Sequence, residues 1–277
     1  MKNIDTIIFD LDGTLLNTLD DLMDAVNYVL EKENMPKRTY EEIRAFVGNG
    51  VANLMKKAVV QDTSDEKIED MLTTFRQYYS EHSLDKTKPY EGIMDMLIAL
   101  KKKGYKLAIV SNKFDKAVKS LNEHFFSGII EVAIGEHEGV NKKPSADMVN
   151  EALKELMINS INKALYHSSD SYGSDSCSSD GNDLNKFNSK SCDSGNETLY
   201  KSDASDYGCF MNVMSGGLEK LKERAVYVGD SEVDIQTAKN AGIRLIMVEW
   251  GFRDRRDMEK LGADVFATVP EDITQMF

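Results

Sequence analysis

The feature that most constrains this chain is a series of short apolar runs set apart by long amphipathic stretches. The runs are 4–9, 106–110, 132–134, 225–228 and 245–248. Each has the length and the β-branched character of a strand, and the stretches between them carry helical spacing. Strands that are apolar on every side chain must be covered on both faces. Apolar runs alternating with amphipathic helices therefore predict a parallel sheet with helices on each side. The expected fold is α/β, a Rossmann-like doubly wound parallel sheet. Ligands of such sheets bind at the carboxyl ends of the strands, so residues just after the apolar runs become candidates for function.

Two stretches do not fit a simple alternation. The first, 17–85, is too long for a single crossover helix. Leu19, Leu22, Met23, Val26 and Leu30 repeat at helical spacing, as do Ile68, Met71, Leu72 and Phe75. Thr39-x-x-Glu42 and Thr63-x-x-Glu66 have the form of capping boxes at two further helix starts. The expectation is a small helical domain, 17–85, inserted after the first strand of a core made of 1–16 and 86–277. The second stretch, 159–217, is dominated by Ser, Asp, Asn, Gly and Lys. It has too little apolar surface to offset the entropy of ordering and is expected to be largely disordered. The three cysteines, Cys177, Cys192 and Cys209, lie within it. An odd number in a chain with no signal sequence does not suggest a disulfide framework. An unknown partner for 159–217 stays open.

Charge and hydropathy narrow the function classes. The 277 residues carry a formal net charge of -13, which argues against nucleic acid, whose binding needs clustered Lys and Arg. There is no run of about 18 apolar residues to cross a membrane and no signal peptide, so a cytoplasmic protein is expected. A hydrophobic fraction of 41% is enough for a buried core.

The chemistry is concentrated in two acidic motifs, each directly after an apolar run. Asp10-Leu11-Asp12-Gly13-Thr14 follows the first; Gly13 allows a sharp turn, so Asp10 and Asp12 can face one site. One carboxylate can attack phosphorus while the other handles protons. Gly229-Asp230-Ser231-Glu232-Val233-Asp234 follows a later run, with Asp234 about one helical turn after Asp230. Carboxylates at strand ends suit a hard cation such as Mg²⁺. Taken singly, Asp-Gly-Thr is ordinary turn chemistry and an Asp after a strand is an ordinary helix cap. Two such motifs converging on one edge of a sheet point to a site. Ser111-Asn112 ends the second run and offers a hydroxyl and backbone N–H groups to an anion, and Lys143, before Pro144, can hold a phosphate as a point charge.

Asp10-Leu11-Asp12-Gly13-Thr14, Ser111, Lys143-Pro144 and Gly229-Asp230 through Asp234 resemble the four ordered motifs of the haloacid dehalogenase-like hydrolases. The position of the helical block is similar to that of the cap domain in that superfamily. Phe46-Val47-Gly48-Asn49-Gly50, Pro89-Tyr90-Glu91-Gly92 and Ser111-Asn112-Lys113 look like the phosphoglycolate phosphatase branch. Ala146 stands where many relatives carry a second proline, and 159–217 matches nothing in the pattern. The resemblance implies Asp10 as nucleophile and metal ligand, and Asp12 as general acid and base with its carbonyl on the metal. Thr14, Ser111, Asn112 and Lys143 would hold the phosphoryl group. Asp230 and Asp234 would complete a Mg²⁺ site, and Gly48 and Asn49 would reach the substrate.

The reading that follows is a Mg²⁺-dependent phosphatase acting on a small phosphorylated metabolite, with phosphoglycolate the first candidate. A sugar-phosphate phosphomutase would use the same motifs. A non-catalytic protein interacting through 159–217 is the alternative of a different class. Trp250-Gly251-Phe252, after the last run, is expected to pack rather than bind substrate.

Overall fold

The computed structural model describes residues 4–169 and 217–277. Its core is a six-stranded sheet in the order β5-β4-β1-β6-β7-β8, every pairing parallel. The strands are β1 (Thr6–Phe9), β4 (Lys106–Phe114), β5 (Val132–Glu136), β6 (Ala225–Gly229), β7 (Arg244–Val248) and β8 (Phe266–Ala267). The chain starts at the centre with β1, builds outward through β4 and β5, then returns to the other side of β1 with β6. That reversal opens a crevice at the carboxyl ends of the central strands.

The strands are apolar throughout because both faces are covered. Ile7 and Phe9 of β1 enter one core cluster with Leu107, Ile109, Val226 and Val228, while Ile8 enters the other with Ala108, Val110, Ala225 and Tyr227. This is the strict alternation of a pleated strand. The second cluster is closed by Met148, Val149, Ala152 and Leu153 of helix α7 (Asp147–Ser169). The edge strand β8, only two residues long, has no counterpart among the expected runs.

β4 runs further than its apolar run, through Ser111-Asn112-Lys113 to Phe114. Val110 faces Ile134 of β5, yet Phe114 faces Glu136, so β4 holds more residues than its partner and the register shifts there. A bulge of this kind re-aims side chains, and here it falls on the three residues nearest the crevice.

The block after β1 is helical, as its spacing requires: α1 (Leu19–Lys32), α2 (Tyr40–Phe46), α3 (Gly50–Ala58) and α4 (Asp65–His82). Leu22, Val26, Leu30, Ile43, Leu54, Met55, Ile68, Met71, Leu72 and Phe75 form its own apolar core. The Thr39–Glu42 capping box is present. The expected Thr63–Glu66 box is replaced by a single cap one residue later. Ser64, not Thr63, caps α4, accepting from Lys67 N at 3.2 Å, while the Thr63 hydroxyl donates to Val60 O. The two connections to the block are pinned together as a ribbon, β2 (Leu16–Asn17) against β3 (Lys88–Pro89). Buried Asp21 at the start of α1 accepts from the backbone N–H groups of Lys86 and Thr87 in the returning connection.

α7 extends through Ser169, so the first part of the polar stretch is helical. The remainder, 170–216, including all three cysteines, lies outside the described residues. Among the described residues no helix is long and apolar enough to cross a membrane.

The helical block and the core also share a side chain. Phe252, in the loop after β7, is 7% exposed and belongs to the block's apolar cluster. Truncating a buried Phe costs about 3–5 kcal/mol, the cavity included. Phe252→Ala is expected to lower the unfolding free energy by about 3 kcal/mol in urea titration and to speed proteolysis within 17–85. A loss below about 1 kcal/mol would show that the loop merely rests against the block.

Candidate active site

Asp10 continues β1 beyond Phe9, its N–H donating to Val228 O of β6 at 2.8 Å. The chain then turns tightly: Leu15 N and Leu16 N both donate to Leu11 O, and Gly13 N donates to Leu16 O. Gly13 sits at φ +90°, and a Cβ there would lie 2.5 Å from Asp230 Oδ2, so the position demands glycine for conformation and for space. Gly251 also approaches this side chain, where any Cβ would collide with Asp230 and with Gly13 O. Asp230 is thus packed against two glycines, and its Oδ2 accepts from Phe252 N at 2.6 Å.

One lysine organises the centre. Lys143 Nζ donates to Asp10 Oδ1 at 2.7 Å, Asp234 Oδ1 at 2.8 Å and Tyr227 Oη at 3.0 Å. Its backbone is fixed by Asn112, whose Oδ1 accepts from Lys143 N and whose Nδ2 donates to Lys143 O. The Asn112 side chain is therefore committed to Lys143, which leaves its main chain for an anion. Asp234 is also heavily used. Its Oδ2 accepts from Asp230 N, Ser231 N and Ser231 Oγ. It acts as a brace at the start of α8 (Glu232–Ala241), next to Asp230.

The carboxylates of Asp10, Asp230 and Asp234 are all buried and offer oxygens within 4.8 Å of one another. Burial pushes the Asp10 carboxyl up to about 7; Lys143 pulls against the rise, and Asp234 and Asp12 add to it. Burial, reinforced by Asp234 and Asp10, also drives Asp230 well above the usual carboxylate range. Burial disfavours the Lys143 ammonium, but Asp10 and Asp234 more than offset it and hold the lysine charged. A cluster of hard oxygen donors with surplus negative charge fits a divalent cation such as Mg²⁺.

Asp12 stands at the mouth, its Oδ1 accepting from Thr18 Oγ1 at 2.7 Å and from Lys113 Nζ at 2.8 Å. The expected site contained one lysine; the structure brings in a second. With all four carboxylates ionised, Asp10, Asp12, Asp230 and Asp234 against Lys113 and Lys143 leave an excess of two negative charges, what one divalent cation carries in place of the protons that burial otherwise retains.

A cavity of about 60 Å³ opens over these groups, lined by Asp10, Asp12, Ser111, Lys143 and Asp230 below and by Leu22, Val47, Val51 and Leu54 of the helical block above. Gly48 lines it and Asn49 does not; Asn49 is exposed, at the N-terminus of α3. Thr14 is buried beside Asp230, its Oγ1 at 3.5 Å from Oδ1. The Ser111 hydroxyl oxygen accepts from Lys113 N at 3.2 Å, which leaves its O–H to donate.

Sequence reasoning missed Lys113 as a site residue, and also Tyr227 and Arg253. Arg253 spans the core and the helical block. Its Nε donates to Glu232, its Nη1 to Arg44 O and its Nη2 to Val47 O. The carbonyls belong to the C-terminal end of α2, where a cation is favoured. No local pattern announces such a residue. Lys113 could have been found as the charge nearest Ser111 on a strand end.

The haloacid dehalogenase-like hydrolase family matches residues 7–172, and the HAD-hydrolase-like family matches 196–276. A phosphoglycolate phosphatase of Aquifex aeolicus is 34% identical over 247 residues, 89% of this chain and 85% of that protein. The pyrophosphatase PpaX of Bacillus mycoides is 30% identical over 158 residues, 55% of this chain and 69% of that protein. A crystal structure from Lactobacillus delbrueckii subsp. bulgaricus, of a protein provisionally named a phosphoglycolate phosphatase, superposes with a TM-score of 0.71 at 28% identity. It covers 100% of this chain and 98% of that one. With its motifs assembled at one sheet edge and its family matched across most of its length, the chain belongs to the haloacid dehalogenase-like hydrolases.

Proposed function

We propose that this protein is a Mg²⁺-dependent phosphatase that hydrolyses a small phosphorylated metabolite through a phospho-aspartate on Asp10, with phosphoglycolate the first candidate. The observation that carries the reading is the Lys143 ammonium, held buried between Asp10 and Asp234 at one strand edge. A carboxylate attacking a phosphate dianion meets strong repulsion, and a fixed cation beside it lowers that barrier. Asp10, Asp230 and the Asp12 carbonyl would hold Mg²⁺, which when bound supplies positive charge to the phosphoryl oxygens.

The residues divide the work as follows. Ser111, Thr14 and Lys143 orient the phosphoryl group. An Asp10 oxygen bonds to phosphorus as the bond to the leaving oxygen breaks, and Asp12 gives that oxygen its proton. Asp12 then takes a proton from water, whose oxygen attacks the same phosphorus and returns Asp10 as a carboxylate while phosphate departs. The helical block acts as a cap that excludes bulk water.

About 60 Å³ under an apolar roof has room for a few waters. Any organic phosphate, small or a sugar phosphate as a phosphomutase would need, requires the cap to shift. The likeness to PpaX favours a second reading, hydrolysis of inorganic pyrophosphate. The segment 159–217 is proposed to supply no catalytic group.

Asp10→Asn keeps shape and removes the nucleophile. Phosphate release should fall by more than 10³-fold, about 4 kcal/mol of barrier, while the far-UV spectrum is unchanged. Turnover within tenfold of the parent would defeat the assignment. Exhaustive chelation should stop phosphate release and Mg²⁺ should restore it; full activity in chelator would exclude a metal role.

The Asp10 carboxyl adds a pH dependence. The folded chain keeps this proton up to about 7, whereas an unfolded aspartate loses it near 4. The folded state then binds more protons between those values, so the metal-free fold is most favoured at the acid end and loses stability as pH rises from about 4 to about 7. Mg²⁺ competes with that proton. Its stabilisation, read as a rise in melting temperature, should be larger at pH 8 than at pH 5. An equal rise at both would contradict a site centred on Asp10.

A further inference from the structure

We propose that Lys113 determines specificity by receiving a second anionic group on the leaving side of the phosphate ester, a carboxylate in the first instance. The inference rests on the phosphatase reading above, because it takes Asp10 and Asp12 to flank the reacting phosphorus.

Three cations line the cavity: Lys113, Lys143 and Arg253. Lys143 is held by Asp10, Asp234 and Tyr227 at the phosphoryl end. Arg253 spends Nε, Nη1 and Nη2 on Glu232 and two carbonyls of the helical block. Lys113 has one carboxylate partner, Asp12 Oδ1 at 2.8 Å, and its side chain is 8% exposed. It also lies 4.7 Å from the centre of the Tyr79 ring on α4, so the helical block covers it. Burial works against its charge, yet Asp12 keeps it a firm cation.

Its position supplies the specificity. Asp12 is the group that meets the leaving oxygen, and Lys113 is bonded to Asp12. A charge one or two bonds beyond that oxygen falls beside Lys113. The side chains of Leu22, Val47, Val51 and Leu54 in the roof are apolar, and the only other groups there for an anion are the first backbone N–H groups of α3 at Gly50 and Val51, which replacing Lys113 leaves in place. A buried ammonium cannot stay unpaired at low cost, so at rest it holds Asp12. A substrate carboxylate takes the place of Asp12 and keeps the lysine paired, while Asp12 retains Thr18 Oγ1 at 2.7 Å and is freed for proton transfer. A neutral leaving group cannot make this exchange and leaves Asp12 tied to Lys113. A site built to pair a charged group rejects the analogue lacking it by about a hundredfold or more.

The test uses the full chain with Mg²⁺. Calorimetry compares 3-phosphonopropanoate, in which CH₂ replaces the ester oxygen of phosphoglycolate, with propylphosphonate, which lacks the carboxylate. The parent should bind the first about a hundredfold more tightly, Lys113→Met should reduce that preference to about threefold or less, and Lys113→Arg should keep most of it. In parallel, kcat/KM is measured for phosphoglycolate, pyrophosphate and ethyl phosphate. The phosphoglycolate to ethyl phosphate ratio should collapse in Lys113→Met. A parent that does not distinguish the two phosphonates overturns the proposal, whatever the variants do. So does a Lys113→Met protein that weakens on both ligands equally and keeps its preference, because the lysine then only supports Asp12. A larger Lys113-dependent preference for pyrophosphate makes the second anion a phosphate and overturns the carboxylate. A parent that shows the binding preference but releases no phosphate from any of the three upholds Lys113 and refutes the phosphatase reading instead.

Discussion

The site depends on the contact of Lys143 with Asp10 and Asp234. Four aspartates at the ends of two neighbouring strands would repel one another strongly if left alone in a buried place. Lys143 reaches both motifs at once and makes their proximity tolerable. Everything near it serves that contact. Asn112 grips the lysine backbone at both its N–H and its carbonyl, Tyr227 accepts from the ammonium, and Asp234 is braced by three donors at the start of α8. Even with Lys143 and Lys113 in place, the four aspartates exceed the lysines by two, and this surplus is the physical case for a divalent cation beside Asp10 and Asp230.

The helical block sits over this centre with an apolar cluster largely of its own. Its apolar stripes face one another, and it joins the core through the β2–β3 ribbon. Beyond that ribbon, Lys113 of β4 meets the Tyr79 ring of α4, and a short loop after β7 adds several contacts. Trp250 Nε1 donates to Thr14 O, Gly251 makes room for Asp230, Phe252 fills a place in the block's core, and Arg253 binds the carbonyl end of α2. The loop touches Asp230 with its backbone and the block with its side chains. That arrangement ties the position of Asp230 to the seating of the roof.

The register shift in β4 has a similar logic. A regular strand would alternate Ser111, Asn112 and Lys113 between faces of the sheet. The bulge instead lets Ser111 line the cavity, Asn112 hold Lys143 and Lys113 reach Asp12, three adjacent residues serving one site.

The sequence by itself determined the sheet, the helical block and the two acidic motifs, because these are written in local patterns. Apolar runs fix strands, a 3.6-residue period fixes helices, and Gly13 next to two aspartates marks a sharp turn at a strand end, which becomes a site only when paired with the second acidic motif. Tertiary structure decided the partners. Nothing near Lys143 in sequence says that it meets both Asp10 and Asp234, and nothing near Arg253 says that it ends on α2. The side-chain amide of Asn112 clamps Lys143, a residue 31 positions later, a partnership that nothing in the local sequence announces. The start of α4 moved from Thr63 to Ser64, since two adjacent hydroxyls compete for one cap and packing chose between them. The two-residue strand β8 left no readable run. Local chemistry is legible along a chain; which charges share a buried space depends on how strands far apart in sequence come to lie side by side.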